Sequence, residues 1–228
     1  MSVPAVATVQ IRRAQPKDAD VCGRICLESF NAVADQHHAP REMPPDPQMV
    51  IGLLAGMFSH PKYYCVLAEQ NGRIVGSNCL DERGPISGVG PITVDLNVQN
   101  ASVGRKLMEA VVNRSNEQRF LGCRLLQAGY HMRSLSLYTK LGFVERETVV
   151  RLQGPPIQKA MTGYSFRPAA PADAAACNAL CFRVHGHERA GEIADDNRAE
   201  QNHNRRISRQ CGWIHDRVEL FRPHGGGE

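Results

Sequence analysis

The stretch from Pro91 to Arg105, PITVDLNVQNASVGR, decides how this chain is read. Ile92-Thr93-Val94 is a short β-branched run suited to a strand, and Gln99 to Gly104 is a turn of small and amide side chains. Val103, Leu107, Ala110 and Val111 then recur at the spacing of one buried helix face, which predicts a helix reaching about Gln118. A turn between a strand end and a helix start presents successive backbone N–H groups at the positive end of the helix. It can therefore hold an anionic group without a charged side chain. Gly104 has a second explanation, close packing of the helix on a sheet, and this stretch alone does not choose between the two.

Working outward toward the N-terminus, Val9 to Ala14 reads as a strand, and Pro16 opens a helix to Gln36. In that helix Val21, Cys22, Ile25, Cys26, Ser29, Phe30 and Val33 recur at three-to-four spacing, so one stripe is expected to face a core. A proline-rich turn from Ala39 to Pro47 precedes a helix over Met49 to Phe58. Tyr63–Ala68 and Ile74–Leu80 read as strands flanking Asn71-Gly72, a dipeptide that favours the two positive-φ positions of a tight hairpin. The glycine-rich GPISGVGP at 84–91 leads into the opening stretch. Beyond it, Cys123–Tyr130 reads as a strand, Arg133–Leu141 as a helix, and Phe143–Leu152 as a last strand carried by Val144, Val149 and Val150. A hairpin mixed with strand-helix-strand units predicts an α/β (α+β) domain, a mixed sheet with helices on both faces.

The chain of 228 residues is 42% hydrophobic, enough for a real core, and carries 27 basic and 23 acidic residues for a formal charge of +4. So mild a balance points away from nucleic acid. The Cys22/Cys26 and Cys177/Cys181 pairs at i,i+4 place thiols on helix faces, where cysteine acts as a small hydrophobe, and the chain contains no CxxC. Metal binding is accordingly not expected from His37-His38, His185, His187 or His203, nor a catalytic thiol from Cys65, Cys79 or Cys123. No apolar run approaches the roughly 20 residues of a membrane span, and MSVPAVATVQIRR lacks a signal-peptide pattern, so the expected location is a reducing cytoplasm with no membrane partner.

A partial repeat follows. IRRAQPKDA from Ile11 is echoed by FRPAAPADA from Phe166, an offset of 155 residues, close to the length of the first domain. The expected organisation is a first domain over 1–154, a linker over 155–164, a partial second copy over 165–198 consisting of one strand and one helix, and an irregular tail over 199–228. Such a half-domain either docks on the first domain or belongs to a longer tandem chain that has been truncated or frame-shifted, and truncation with a poorly ordered tail is the expectation here.

After an intervening helix and strand comes Ser134-Leu135-Ser136-Leu137-Tyr138-Thr139-Lys140-Leu141-Gly142-Phe143. An amide-rich turn followed by a tyrosine near Gly-Phe resembles the GCN5-related N-acetyltransferase (GNAT) superfamily over residues 9 to 153, with the start of a second such domain at Arg167–Ala194. The resemblance implies a sheet splayed between its fourth and fifth strands. It implies acetyl-CoA as co-substrate, held by Gln99, Asn100, Ala101, Ser102, Val103, Gly104 and Arg105, with the backbone amide of Val94 on the acetyl carbonyl. Tyr138 would be the catalytic acid on the departing thiolate. The amine acceptor, a small molecule or peptide, would attack directly in a ternary complex, and a second copy in a homodimer is the one protein partner considered. Asp81, Glu82 and Asp95 are the nearest acidic candidates for a base, and water could serve instead. The alternative is a degenerate acyl-CoA-binding or scaffold module.

The chain departs from the family pattern at several positions. Ala101 stands in place of a frequent basic residue, Ser102 in place of the first glycine, Met132 in place of an asparagine that contacts coenzyme A, and Leu96 in place of a proline. If residue 102 needs positive φ, serine costs on the order of 1 kcal/mol there. Acceptor specificity is expected from the loops at 36–48 and 82–91.

Overall fold

The computed structural model describes residues 8–98, 102–150, 164–165, 170–201 and 222–223. Strand β1 (Val9–Arg13) passes through a 3-10 turn at Pro16–Asp18 into α1 (Ala19–Gln36). Asp18 fixes that passage: its carboxylate accepts from the Gln15 N–H at 2.9 Å and from both Arg12 terminal nitrogens at 2.8 and 3.1 Å. The Arg12 contact holds the carboxyl below its ordinary range. α2 (Pro47–Ser59) starts at Asp46, whose carboxylate caps the Gln48 N–H at 2.9 Å, with proline in the first turn where its missing N–H costs nothing.

Strands β2 (Tyr63–Gln70) and β3 (Arg73–Asp81) form the expected hairpin, and Asn71 and Gly72 take φ of 55° and 73°. Side chains alternate across this pair. Cys65, Leu67 and Cys79 join Cys22, Cys26, Val50 and Leu54 of the two N-terminal helices on one face. Val66, Ala68, Val75 and Leu80 meet Val103, Leu107 and Val111 of α3 (Val103–Glu117) on the other. The sheet is thus covered by helices on both sides, as its period of two requires.

The sheet continues with β4 (Ile86–Val89), β5 (Thr93–Val94) and β6 (Gly122–Leu125), followed by α4 (Met132–Lys140). Its order is β1-β2-β3-β4-β6, with β5 also on β3; the pairs are antiparallel except β4 with β6. Leu80 faces Val89 and Ser77 faces Thr93, so residues 90–92 on one side span residues 78–79 on the other, a one-residue bulge that contains a cis Gly90-Pro91 bond. A methyl on Gly76 would lie 2.6 Å from the Thr93 carbonyl oxygen; only glycine lets β5 cross β3 this closely.

Three expectations are corrected. β4 forms inside the glycine-rich 84–91 stretch, and the strand expected to reach Tyr130 ends at Leu125. Residues 143–150 form no strand, and Val144, Val149 and Val150 are exposed. Val149 and Val150 are adjacent and Glu145 to Thr148 are polar, so the run has no single apolar face to bury. Residues 151–152 lie outside the described residues.

The second half repeats the first locally. Ala170 and Asp173 exchange the same reciprocal bonds as Gln15 and Asp18, Ala170 N–H to Asp173 Oδ2 at 2.8 Å and Asp173 N–H to the Ala170 carbonyl at 2.9 Å. The expected single helix is two, α5 (Ala174–His185) and α6 (Ala190–Gln201), parted by Gly186 at φ 73°. α6 docks on the first unit: Asp195 pairs with Arg83 at 3.3 Å and His60 at 3.2 Å, Glu192 pairs with Arg124 at 3.2 Å, and Ile193 is buried. Two residue pairs, Tyr164–Ser165 and Arg222–Pro223, form a short antiparallel bridge. Among the described residues no helix is long and apolar enough to cross a membrane.

Candidate active site

Pairing between β4 and β6 stops at Val89 opposite Leu125, while the chain on the β4 side runs on into β5 along β3. The two arms part, and a cleft of about 370 Å³ opens between them, lined by residues 89–94 on one arm and 125–128 on the other. Asp95 N–H bonds the Val75 carbonyl at 2.9 Å, and ladder bonds alternate along an antiparallel strand, so the N–H and C=O of Val94 turn away from β3 toward the cleft. Its carbonyl accepts from the buried Ser29 hydroxyl at 2.9 Å.

The start of α3 forms the next wall, where Ser102, Val103, Gly104 and Arg105 all line the cleft. Ser102 is the N-cap residue at φ 60°, ψ 10°, and its side chain makes no capping bond. The first N–H groups of the helix therefore depend on other acceptors. A methyl on Gly104 would sit 3.6 Å from Leu137 and 3.7 Å from Val94, ordinary contact distances. Helix packing thus does not require this glycine. The Arg105 guanidinium lies 3.6 Å from Glu109. Gln99, Asn100 and Ala101 lie outside the described residues.

Across the cleft stands Tyr138 of α4, 7% exposed, its ring edge-on to Phe143 at 6.1 Å. Burial raises the phenol above its ordinary pKa, and the Ser134 hydroxyl opposes that rise. Ser134 Oγ in turn lies 2.9 Å from His131 Nδ1. Burial, with Arg133 and His37 nearby, lowers the imidazole pKa of His131, leaving it neutral at pH 7. Thr93 Oγ1 and Gln127 Oε1, both in cleft-lining residues, are buried with no partner among the described residues.

The three acidic candidates are placed elsewhere. Asp81 is bound by Arg83 at 2.6 Å and by the Tyr63 hydroxyl, and Glu82 by Arg114 at 2.7 Å. Asp95 is bound by Arg73 and Asn97; burial pushes its carboxyl up, but these bonds more than offset it and hold it low. None of the three lines the cleft. Met132 and Leu96 also miss it and line a second cavity of about 270 Å³ beside His37 at the end of α1. Tyr130, His131 and Arg133 line both cavities. These three, with Gln127 and with Glu42 from the connection between α1 and α2, are cleft residues that no motif marks; Tyr130 reads as a strand residue only because its neighbours are apolar. The burial of Cys22 pushes its thiol up to about 12, which suits a packing role rather than a nucleophile.

A mixed, mostly antiparallel sheet with helices on both faces, parted over this cleft, has the architecture of the GNAT fold. Residues 61–145 match the family model described as an acetyltransferase (GNAT) domain. Among solved structures, the chain is similar to a transcriptional regulator from Bacillus halodurans C-125 (TM-score 0.54, 14% identity, 64% of this chain and 100% of that one). It is also similar to the PaiA N-acetyltransferase of Thermoplasma acidophilum, solved in complex with coenzyme A (0.53, 14%, 62% and 93%). A third is the ribosomal-protein-S18-alanine N-acetyltransferase of Escherichia coli (0.51, 18%, 61% and 80%). At these identities the likeness is one of fold. Among curated proteins no sequence matches.

Proposed function

We propose that this chain transfers an acyl group, acetyl in the simplest case, from acyl-CoA to an amine by direct attack within a ternary complex. The observation that carries this reading is one cleft bounded by the α3 amides, the inward-turned backbone of Val94 and the buried phenol of Tyr138. Acetyl-CoA supplies an activated thioester. The N–H groups from Val103 onward hold a diphosphate at the positive end of α3, and Arg105 adds charge. Val94 N–H donates to the carbonyl oxygen, where negative charge builds during attack. Tyr138 keeps its proton at neutral pH because it is buried, and delivers it from Oη to the departing sulfur.

The test is release of the free thiol of coenzyme A across a panel of amines, with wild type and Tyr138→Phe. Loss of the acid should lower kcat by about 100-fold or more while acetyl-CoA affinity stays close to wild type. The strained Ser102 favours a second reading, a module that holds acyl-CoA without turning it over. Acetyl-CoA binding with no thiol release for any amine, indifferent to Tyr138→Phe, would select it.

A further inference from the structure

Acyl transfer must move one proton from the attacking amine to the leaving sulfur. Tyr138 supplies the sulfur end, and the acidic side chains nearest the central strands are all committed elsewhere. The first turns of α4 carry the missing part. His131 precedes the helix, lines both the cleft and the cavity beside it, and meets Ser134 Oγ through Nδ1 at 2.9 Å. Ser134 also lines the cleft and lies one turn before Tyr138, on the same face of the helix.

We propose that His131 is the general base of the acyl transfer inferred above, and that Ser134 carries its proton to Tyr138. A single hydrogen-bonded chain would then join the acceptor amine to the leaving sulfur; the proposal rests on the acyl-transfer reading. In the relay the donors would run in one direction: Nδ1–H of His131 to Ser134 Oγ, the Ser134 hydroxyl to the Tyr138 phenol on which it already acts, and the phenol proton to the sulfur. When the amine nitrogen bonds the acyl carbon and the carbon–sulfur bond breaks, Nε2 of His131 takes the amine proton. Nδ1–H passes to Ser134, the Ser134 proton to Tyr138, and the Tyr138 proton to the thiolate. The products are amide and free thiol. His131 is left as the other neutral tautomer, and exchange with solvent restores it. The imidazole feels Arg133 on α4 and His37 at the end of α1, and it shares the cleft with Glu42, Arg105, Tyr130 and Tyr138. Arg133 and His37 disfavour the imidazolium, which suits a base that must hold a proton only in passage. His131 also lines the second cavity, with His37, Tyr130 and Met132 in its wall, which gives the acceptor a path to the imidazole.

Two measurements test the chain. In the ligand-free protein, nitrogen NMR of the His131 ring should show the Nδ1–H tautomer, with that preference lost in Ser134→Ala. A predominant Nε2–H tautomer in wild type would overturn the relay whether or not the protein is an enzyme. In thiol-release assays with acetyl-CoA and spermidine, tyramine or a short peptide with a free amino terminus, kcat/KM should rise with pH along a limb set by His131. His131→Gln should flatten that limb and cut kcat by about 100-fold or more. Ser134→Ala should keep the limb and lower kcat, and both variants should retain the thermal shift given by acetyl-CoA. A limb that survives His131→Gln, or that disappears in Glu42→Gln instead, overturns the assignment while leaving acyl transfer standing. No turnover by wild type with any of these amines overturns acyl transfer and the relay together.

Discussion

Ser102 occupies the left-handed region at φ 60°, and an L-residue there costs roughly 1–2 kcal/mol. Its side chain makes no cap to offset the strain, so the position serves the backbone. Ser102→Gly should relieve the strain, less the roughly 0.4–1 kcal/mol by which glycine loosens the unfolded chain, for a net gain of about 0.5 kcal/mol in urea unfolding. Ser102→Val should lose more than about 1 kcal/mol, because a β-branched residue fits this region worst. A glycine variant less stable than wild type would contradict the assignment. As cleft-lining residues, Ser102 and Tyr138 were legible in the sequence because each sits in a spaced motif. His131 was not: it lies in a loop, and its partners come from a helix turn and a neighbouring helix end that no local pattern brings together.

Among the elements, β5 does the most with the fewest residues. Two of them place the Val94 backbone in the cleft, and they reach it only because β3 has no side chain at Gly76. Gly76→Ala should push β5 away, destabilise the domain by about 1–3 kcal/mol and weaken acetyl-CoA binding, as followed by urea unfolding and titration. Unchanged binding would show that β5 does not set the cleft. The β2–β3 hairpin was legible because Asn71-Gly72 carries a backbone requirement on its own. β4 was not, because the glycines of the 84–91 stretch suit a loop equally well and only pairing with β3 and β6 makes a strand of it. The run at 143–150 shows the reverse error: apolar residues suggested a strand, but their alternation does not place them on one face.

For the whole molecule, the sequence repeat at an offset of 155 residues coincides with a repeated turn, in which Ala170 and Asp173 make the bonds that Gln15 and Asp18 make before α1. It did not give the docking of α6, which depends on Arg83, His60 and Arg124 from distant parts of the chain. A methyl on Gly191 would come within 2.2 Å of the Arg83 carbonyl oxygen. Gly191→Val should therefore lift α6 away, speeding limited proteolysis across 186–201 while the first unit stays protected and still binds acetyl-CoA. A cleavage pattern like that of wild type would mean that α6 is held otherwise.

The central claim is that the cleft between the parted strands is an acyl-CoA site. Calorimetric titration of the full chain with acetyl-CoA tests it most directly. Saturable binding of one acetyl-CoA per chain, competed by coenzyme A, is the predicted result, and absence of binding would contradict the account.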